Sequence, residues 1–200
     1  MIAKLKNENI ALKIQMSELI LEKKQIEKEL KVNRRLANFD FLTKLSNRSS
    51  FTRSLEELLE DLKDLNYTFG VIYIDLDNFK KVNDTYSHMH GDHVLKEIAK
   101  LLILENRANS VIGRLGGEEF AIIIPGAKTI EQIAKAAERI RLAIEELVLE
   151  GIDIDVTASI GVYKPVKTDT SEDIIYKADK AMYHSKKTGK NKVTLYSENI

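Results

Sequence analysis

The sequence predicts an α+β domain, with a central mixed β-sheet flanked by helices, preceded by a long N-terminal helix of coiled-coil character. Three observations carry that prediction. Residues 2 to 33 follow a seven-residue pattern of mainly apolar positions, the period of a coiled-coil seam. Beyond Phe39, amphipathic helical stripes alternate with short β-branched runs, which is how helices packed on a sheet read. Two of those runs flank Gly116-Gly117, a hairpin signal that introduces antiparallel pairing among strands otherwise joined through helices.

In the first segment Ile2, Asn9, Met16, Lys23 and Leu30 share one heptad position, and Leu5, Leu12, Leu19, Ile26 and Asn33 fall three later. Glu and Lys fill the positions between, and no Gly or Pro interrupts before Asn38. Two placements fit such a stripe: a parallel coiled-coil dimer, which about four sustained heptads favour, or packing on the chain's own domain. Asn9 on the seam would fix register at some cost in stability. The predicted organisation is a helix over residues 1–38 and a domain over 39–200.

After Phe39 the pattern changes. Asp40-Phe41-Leu42-Thr43 reads as a turn, and Ser46 as the cap of a helix from about Asn47 to Leu65, with Phe51, Leu55, Leu58, Leu59 and Leu62 on one face. Phe69 to Leu76 is a β-branched and aromatic run ending in acidic residues, read as a buried strand. A short helix follows, then one from about Gly91 to Glu105 striped by Val94, Leu95, Ile98, Leu101 and Leu102. Ser110 to Arg114 and Glu119 to Ile124 form the hairpin strands. A helix over Ile130 to Val148, a strand over Ile154 to Val162, a helix from Ser171 to about Lys187 and a strand over Lys192 to Tyr196 complete the order α-β-α-α-β-β-α-β-α-β.

Composition removes several classes of function. Thirty-one basic and 31 acidic residues leave a formal charge of zero, so no global field exists to coat a nucleic acid, and no nucleic-acid partner is expected. A template-directed polymerase would also need fingers and a basic template track that 200 neutral residues do not offer. Apolar residues at 44% and charged residues at 31% describe a folding chain with charged helices. The absence of cysteine excludes disulfides, thiolate metal sites and a cysteine nucleophile, and fits a reducing compartment. There is no run of about 20 apolar residues and no signal-peptide core. The chain is therefore expected to be cytoplasmic, with no membrane segment of its own.

The chemistry gathers at a strand end. Asp75 and Asp77 close the run Tyr73-Ile74-Asp75-Leu76-Asp77, and two residues apart on a strand they share a face. Glu118-Glu119 follows the glycine pair directly, and a hairpin pairing beside the first strand brings Glu118 to the same edge as Asp75. Converging carboxylates repel unless a cation lies between them, and hard oxygen ligands suit Mg²⁺. Glycines at the tip let a phosphate or another backbone approach closely.

Arg114-Leu115-Gly116-Gly117-Glu118-Glu119-Phe120 resembles the signature of the GGDEF family of diguanylate cyclases, in its GGEEF form. Further matches follow in family order from Asp40 to Val193. Asp40-Phe41-Leu42-Thr43-Lys44-Leu45-Ser46-Asn47-Arg48 resembles the entry motif, and Asp75-Leu76-Asp77-Asn78-Phe79-Lys80-Lys81-Val82-Asn83-Asp84, continuing through His88 to Gly91-Asp92, the metal and substrate segment. Ser159-Ile160-Gly161-Val162 and Ala178-Asp179-Lys180-Ala181-Met182-Tyr183, followed by Lys186 and Gly189-Lys190-Asn191, resemble the closing motifs.

The resemblance implies a fold like the palm of nucleotide polymerases and class III nucleotide cyclases. It implies condensation of two GTP into cyclic di-GMP with release of two pyrophosphates. Asp75 and Glu118 correspond to the carboxylates that hold Mg²⁺, with Mn²⁺ as an alternative ion and the backbone carbonyl of Leu76 as a further ligand. Glu118 is also the family's candidate general base. Lys80, Lys186 and Lys190 correspond to a triphosphate clamp, with Lys80 and Lys186 in the catalytic set and Gly117 beside the phosphates. Lys186 and Lys190 share a face if the last helix extends that far, while Gly189 suggests that it ends there. The family usually has Arg at the position of Lys190; lysine keeps the charge and loses bidentate geometry.

Asn83 and Asp92 match the guanine-reading pair. A carboxylate accepts from the N1 and N2 donors of guanine, whereas adenine presents an acceptor at N1, so the pair favours GTP over ATP. Phe79 packs under the nucleotide or in the core, and His88 is a structural hydrogen-bonding residue or a substrate contact. Ser87 stands where the family often has Gly. The family's inhibitory product site, Arg-x-x-Asp, survives here as Arg107 with Ser110 in place of Asp, which predicts weak or absent product inhibition. Since the product needs two GTP, the resemblance implies a homodimer through the coiled coil, with an upstream sensor domain or protein as a further partner. The alternative is a catalytically weak or inactive GGDEF module that binds GTP or a protein partner.

Overall fold

The computed structural model describes residues 13, 15–26, 38–151 and 153–200. The chain forms two compact units, residues 1–38 and Phe39–Ile200. In the first, residues 15–26 are helical (α1) and exposed, including Met16, Leu19 and Ile26 of the heptad seam. The other apolar seam positions, and Asn9, lie outside the described residues. Among the described residues no helix is long and apolar enough to cross a membrane.

The second unit runs β1 (Ser46–Asn47), α2 (Arg48–Leu65), β2 (Phe69–Asp77), α3 (Phe79–Thr85), α4 (His88–Leu104), β3 (Val111–Arg114), β4 (Glu119–Pro125), α5 (Ile130–Glu145), β5 (Thr157–Tyr163), α6 (Ser171–Lys187) and β6 (Lys192–Leu195). The strands form one sheet in the order β1-β3-β4-β2-β5-β6. Around β2 the pairing is antiparallel to β4 and β5, while β1 with β3 and β5 with β6 are parallel. The sheet is mixed and helix-flanked, as the element order implies.

All nine residues of β2 are buried because the sheet has a core on each face. Ile72, Ile74 and Leu76 pack with Val94 and Ile98 of α4 and Ile133 and Ile140 of α5. Val71 and Tyr73 pack with Phe51 and Leu55 of α2 and Ala178 and Met182 of α6. Alternation along β2 thus feeds two helical layers, and burial of each such side chain contributes about 1.5–3 kcal/mol. At Gly161 a Cβ would lie 2.0 Å from the Ala178 carbonyl oxygen and 2.3 Å from the Met182 nitrogen, so α6 rests on β5 at backbone distance.

Several boundaries differ from the sequence reading: α4 begins at His88 rather than Gly91, and β5 at Thr157 rather than Ile154. Asn47, not Ser46, caps α2, its side chain accepting from the Ser50 N–H at 3.0 Å. Ser46 and Asn47 instead pair with Gly113 and Arg114 as β1, a partnership no local pattern encodes. α5 ends at Glu145 rather than Val148.

Candidate active site

The two aspartates at the end of β2 face the same way and have opposite environments. Asp77 is 2% exposed and satisfied: it accepts from Ser159 Oγ at 2.7 Å, Thr157 Oγ1 at 2.8 Å and the Asn191 N–H at 3.0 Å. It fastens β2 to β5 and to the turn before β6, and so serves the sheet rather than a ligand. Asp75 is 7% exposed, and its Oδ1 is buried. Lys186 Nζ lies 2.5 Å from that oxygen as an ion pair. Burial pushes the Asp75 carboxyl up to about 6, against the pull of Lys186, with Glu118 and Glu119 adding to the rise.

The hairpin between β3 and β4 brings the second carboxylate. Asp75 pairs with Glu119 in register, and the Leu76 N–H donates to the Glu118 carbonyl at 3.3 Å. Glu118 is half-buried; burial raises its carboxyl, Lys186 opposes and Glu119 adds. Among the described residues no group of three or more His, Cys, Asp or Glu side chains could hold a metal by itself. Mg²⁺, however, commonly binds through one or two carboxylates together with substrate phosphates. A buried carboxylate beside a second one, with a single lysine between them, fits a hard cation that arrives with a triphosphate.

Arg114 holds the hairpin tip. Its Nε and Nη2 donate to the Gly117 carbonyl at 3.2 and 2.7 Å, and its Nη1 donates to Asp40 Oδ1 at 3.1 Å. That oxygen also accepts from the Thr43 N–H at 2.8 Å and Thr43 Oγ1 at 2.6 Å. Burial acts to raise the Asp40 carboxyl, but the Thr43 and Arg114 donors together hold it below the usual range. Arg48 Nε donates to the Leu115 carbonyl at 3.0 Å, a second brace. Gly117 is exposed, and a Cβ there would meet nothing within 4 Å, so the tip is open to a ligand.

On the far side of β2, α3 and α4 approach at Gly91. A Cβ there would lie 2.0 Å from Asn83 Oδ1 and 3.1 Å from the Phe79 ring; only glycine allows the two helices this close. Asn83 is thereby set against the start of α4, where Asp92 is exposed in the second turn.

The sequence model of the family described as diguanylate cyclase, GGDEF domain, matches residues 37–192. The chain belongs to the GGDEF family. Diguanylate cyclase A of Treponema denticola is 37% identical over 167 residues, 80% of this chain and 45% of that protein. The probable diguanylate cyclase DgcE of Escherichia coli is 36% identical over 163 residues, 80% of this chain and 15% of that protein. The chain thus spans less than half the length of these relatives. The coiled coil and GGDEF domain of DgcB from Caulobacter crescentus, solved with c-di-GMP, superposes with a TM-score of 0.86 at 28% identity, covering 92% of this chain and 98% of that one.

Within this GGDEF domain the expected residues separate by environment. Asp75, Glu118 and Lys186 converge. Lys80 is exposed in the first turn of α3, and His88 is exposed at the start of α4. Phe79, 6% exposed, lies in the core under the contact of Asn83 with Gly91, the second of the two places open to it. Leu76 is fully buried. Lys190 does not share the helix face of Lys186, because α6 ends at Lys187. A left-handed turn carries it instead, and its Nζ donates to Asn78 Oδ1 at 2.6 Å. Ser87 has φ 146°, a conformation glycine adopts freely and other residues adopt with strain.

Arg107 and Ser110 line a cavity of about 430 Å³ with Lys128, Lys135 and Arg139, the last paired with Glu105 at 2.8 Å. Arg48, Arg114, Asn78 and Asn191 were missed as contributors by the sequence reading. The one local signal was the position of Arg114 immediately before the Leu-Gly-Gly turn.

Proposed function

We propose that this chain is an active, Mg²⁺-dependent diguanylate cyclase that works as a homodimer, each protomer binding one GTP. The observation that carries the reading is the buried Asp75 carboxylate, which meets Glu118 across a single lysine, Lys186. Two carboxylates facing one ammonium leave an excess negative charge that a cationic ligand would neutralise. In each of two steps a 3′-hydroxyl attacks the α-phosphorus of the other GTP, a P–O bond forms, and the α–β anhydride breaks to release pyrophosphate.

Asp75 and Glu118, with the Leu76 carbonyl, would hold the ion, which when bound neutralises triphosphate charge and lowers the pKa of the attacking hydroxyl. Lys186 neutralises Asp75 before substrate arrives and is placed to turn to phosphate afterwards. Lys80 and Lys190 add charge for the triphosphate, and Gly117 leaves room for it. Asn83 and Asp92 read guanine, and the hydroxyl proton passes to Glu118 or to solvent. The exposed seam residues Met16, Leu19 and Ile26 support pairing of two chains through the N-terminal helix, which raises the effective concentration of one site before the other.

The test is incubation of the purified chain with GTP and Mg²⁺ and chromatography for cyclic di-GMP and pyrophosphate. Product is expected, and none from Asp75→Ala. The rate per protomer should fall on dilution through the dimer dissociation constant; GTP binding by a dimeric chain without product would instead favour a regulatory module. Weak or absent product inhibition is the second expected outcome. Ser110 offers no anionic acceptor beside Arg107, so turnover should continue at micromolar cyclic di-GMP. Strong inhibition that Arg107→Ala relieves would contradict this.

A further inference from the structure

Three consecutive residues with positive φ join α6 to β6: Gly189 at 122°, Lys190 at 62° and Asn191 at 44°. Glycine takes such a conformation without penalty, but non-glycine residues held there cost on the order of 1–3 kcal/mol each and persist only where their surroundings fix them. The fixing is concentrated on Asn191. Its N–H donates to Asp77 Oδ2 at 3.0 Å, its Oδ1 accepts from Arg141 Nη1 at 2.8 Å, and its Nδ2 donates to Glu145 Oε1 at 2.7 Å.

Those partners are themselves immobilised. Arg141, with its side chain 11% exposed, also donates to Glu138 at 2.9 and 2.7 Å and to Glu145 at 2.7 Å. Asp77 is held by Ser159 and Thr157. One asparagine therefore ties the turn to α5 on one side and to the end of β2 on the other. The residue before it, Lys190, makes no comparable anchor; its N–H donates to Ser185 at 2.9 Å and its ammonium reaches Asn78 at the head of α3.

We propose that Asn191 is a positioning residue that delivers the Lys190 ammonium to the triphosphate side of the site. The inference rests on reading Lys190 as a phosphate-binding residue and adds to it the element that does the aiming, the Arg141–Glu145 pair of α5. A lysine head is a point charge on a flexible four-carbon stem, so its delivery depends on where the backbone sets its root. The left-handed pair sets that root, and the Asn191 amide keeps the pair from relaxing.

The test is equilibrium binding, with Mg²⁺, of α,β-methylene GTP, whose α–β bridge resists cleavage, and of GMP, which lacks the outer phosphates. Asn191→Gly retains the left-handed backbone without steric cost and deletes only the clamp. It should weaken the triphosphate probe about tenfold, the scale of one lost hydrogen bond to a charged group, and leave GMP within about twofold. Lys190→Ala should cost about the same alone and less than about twofold more on top of Asn191→Gly, because residues acting as one unit are not additive. Glu145→Ala, on the surface of α5, should act in the same direction and more weakly.

Equal weakening of both ligands by Asn191→Gly, unchanged binding of the triphosphate probe, or full additivity with Lys190→Ala would overturn the inference. If Lys190→Ala weakens the triphosphate probe and Asn191→Gly does not, the inference alone falls. If the wild-type chain does not bind the probe, or Lys190→Ala binds it normally, the phosphate role of Lys190 falls with it.

Discussion

Asp75→Asn is expected to abolish cyclic di-GMP synthesis and at the same time to raise the melting temperature of the metal-free protein. The two effects share one cause. Asp75 is 7% exposed, and two glutamates add to the burden on its buried carboxylate. Removing its charge relieves a desolvation cost that Lys186 only partly offsets, and a gain of about 1 kcal/mol would appear as a rise of about 2–4 °C for a chain of this size. Turnover should drop by about three orders of magnitude or more, the scale of losing a principal electrostatic stabiliser of a transition state. Mg²⁺ with a nucleotide should stabilise the wild type and leave the variant unmoved.

Asp77→Asn is the informative contrast. That carboxylate accepts three hydrogen bonds from β5 and the final turn, so its loss should destabilise by about 2 kcal/mol through unpaired buried donors. Thermal denaturation of the two variants decides the matter. If Asp75→Asn melts lower than wild type, Asp75 is a structural residue and the metal reading of this strand end fails.

The same pair shows what a sequence can and cannot disclose. The spacing of Asp75 and Asp77 placed both on one face, and the hairpin placed Glu118 beside them; both follow from local geometry. Which aspartate is free was illegible, because the donors that satisfy Asp77 lie on Thr157 and Ser159, about 80 residues away. Helices with continuous apolar stripes, such as α4 and α6, were legible to within a few residues because one face of each is core. β1 was not, since two residues carry no period and owe their conformation to β3. Lys190 was matched to the phosphates by family resemblance, yet its route there runs through a left-handed turn rather than a helix face. A Gly followed by Lys-Asn hints at such a turn; its anchors on α5 have no local signature.

Arg114→Ala is expected to lower turnover about a hundredfold and to destabilise the domain by about 3 kcal/mol, the cost of stripping one partner from a largely buried ion pair. Its side chain is 12% exposed and that of Asp40 16% exposed, so neither charge finds water readily once the other is gone. The guanidinium spans two places. It grips the Gly117 carbonyl, one residue before Glu118, and it grips Asp40, at the first turn of the domain after residues 1–38. Without it the hairpin tip loses the donors on the Gly117 carbonyl, and if Glu118 is catalytic as proposed, small misplacements of it cost rate steeply.

Lysine at position 114 should recover part of the stability and little of the turnover, because one ammonium cannot serve both acceptors in the fork geometry of arginine. The pH dependence supplies a check that loss of packing would not give. Asp40 is held below its ordinary value of 3.8 in the folded chain, so its contribution is complete above that value and fades as pH falls through the lowered one. Deleting Arg114 should shrink this contribution, and the acid limb of the stability curve should move to higher pH. An Arg114→Ala protein with an unchanged acid limb and full turnover would show that Asp40 and the hairpin are independent. The expected shift would make Arg114 the physical connection between the first turn of the domain and the residue next to Glu118.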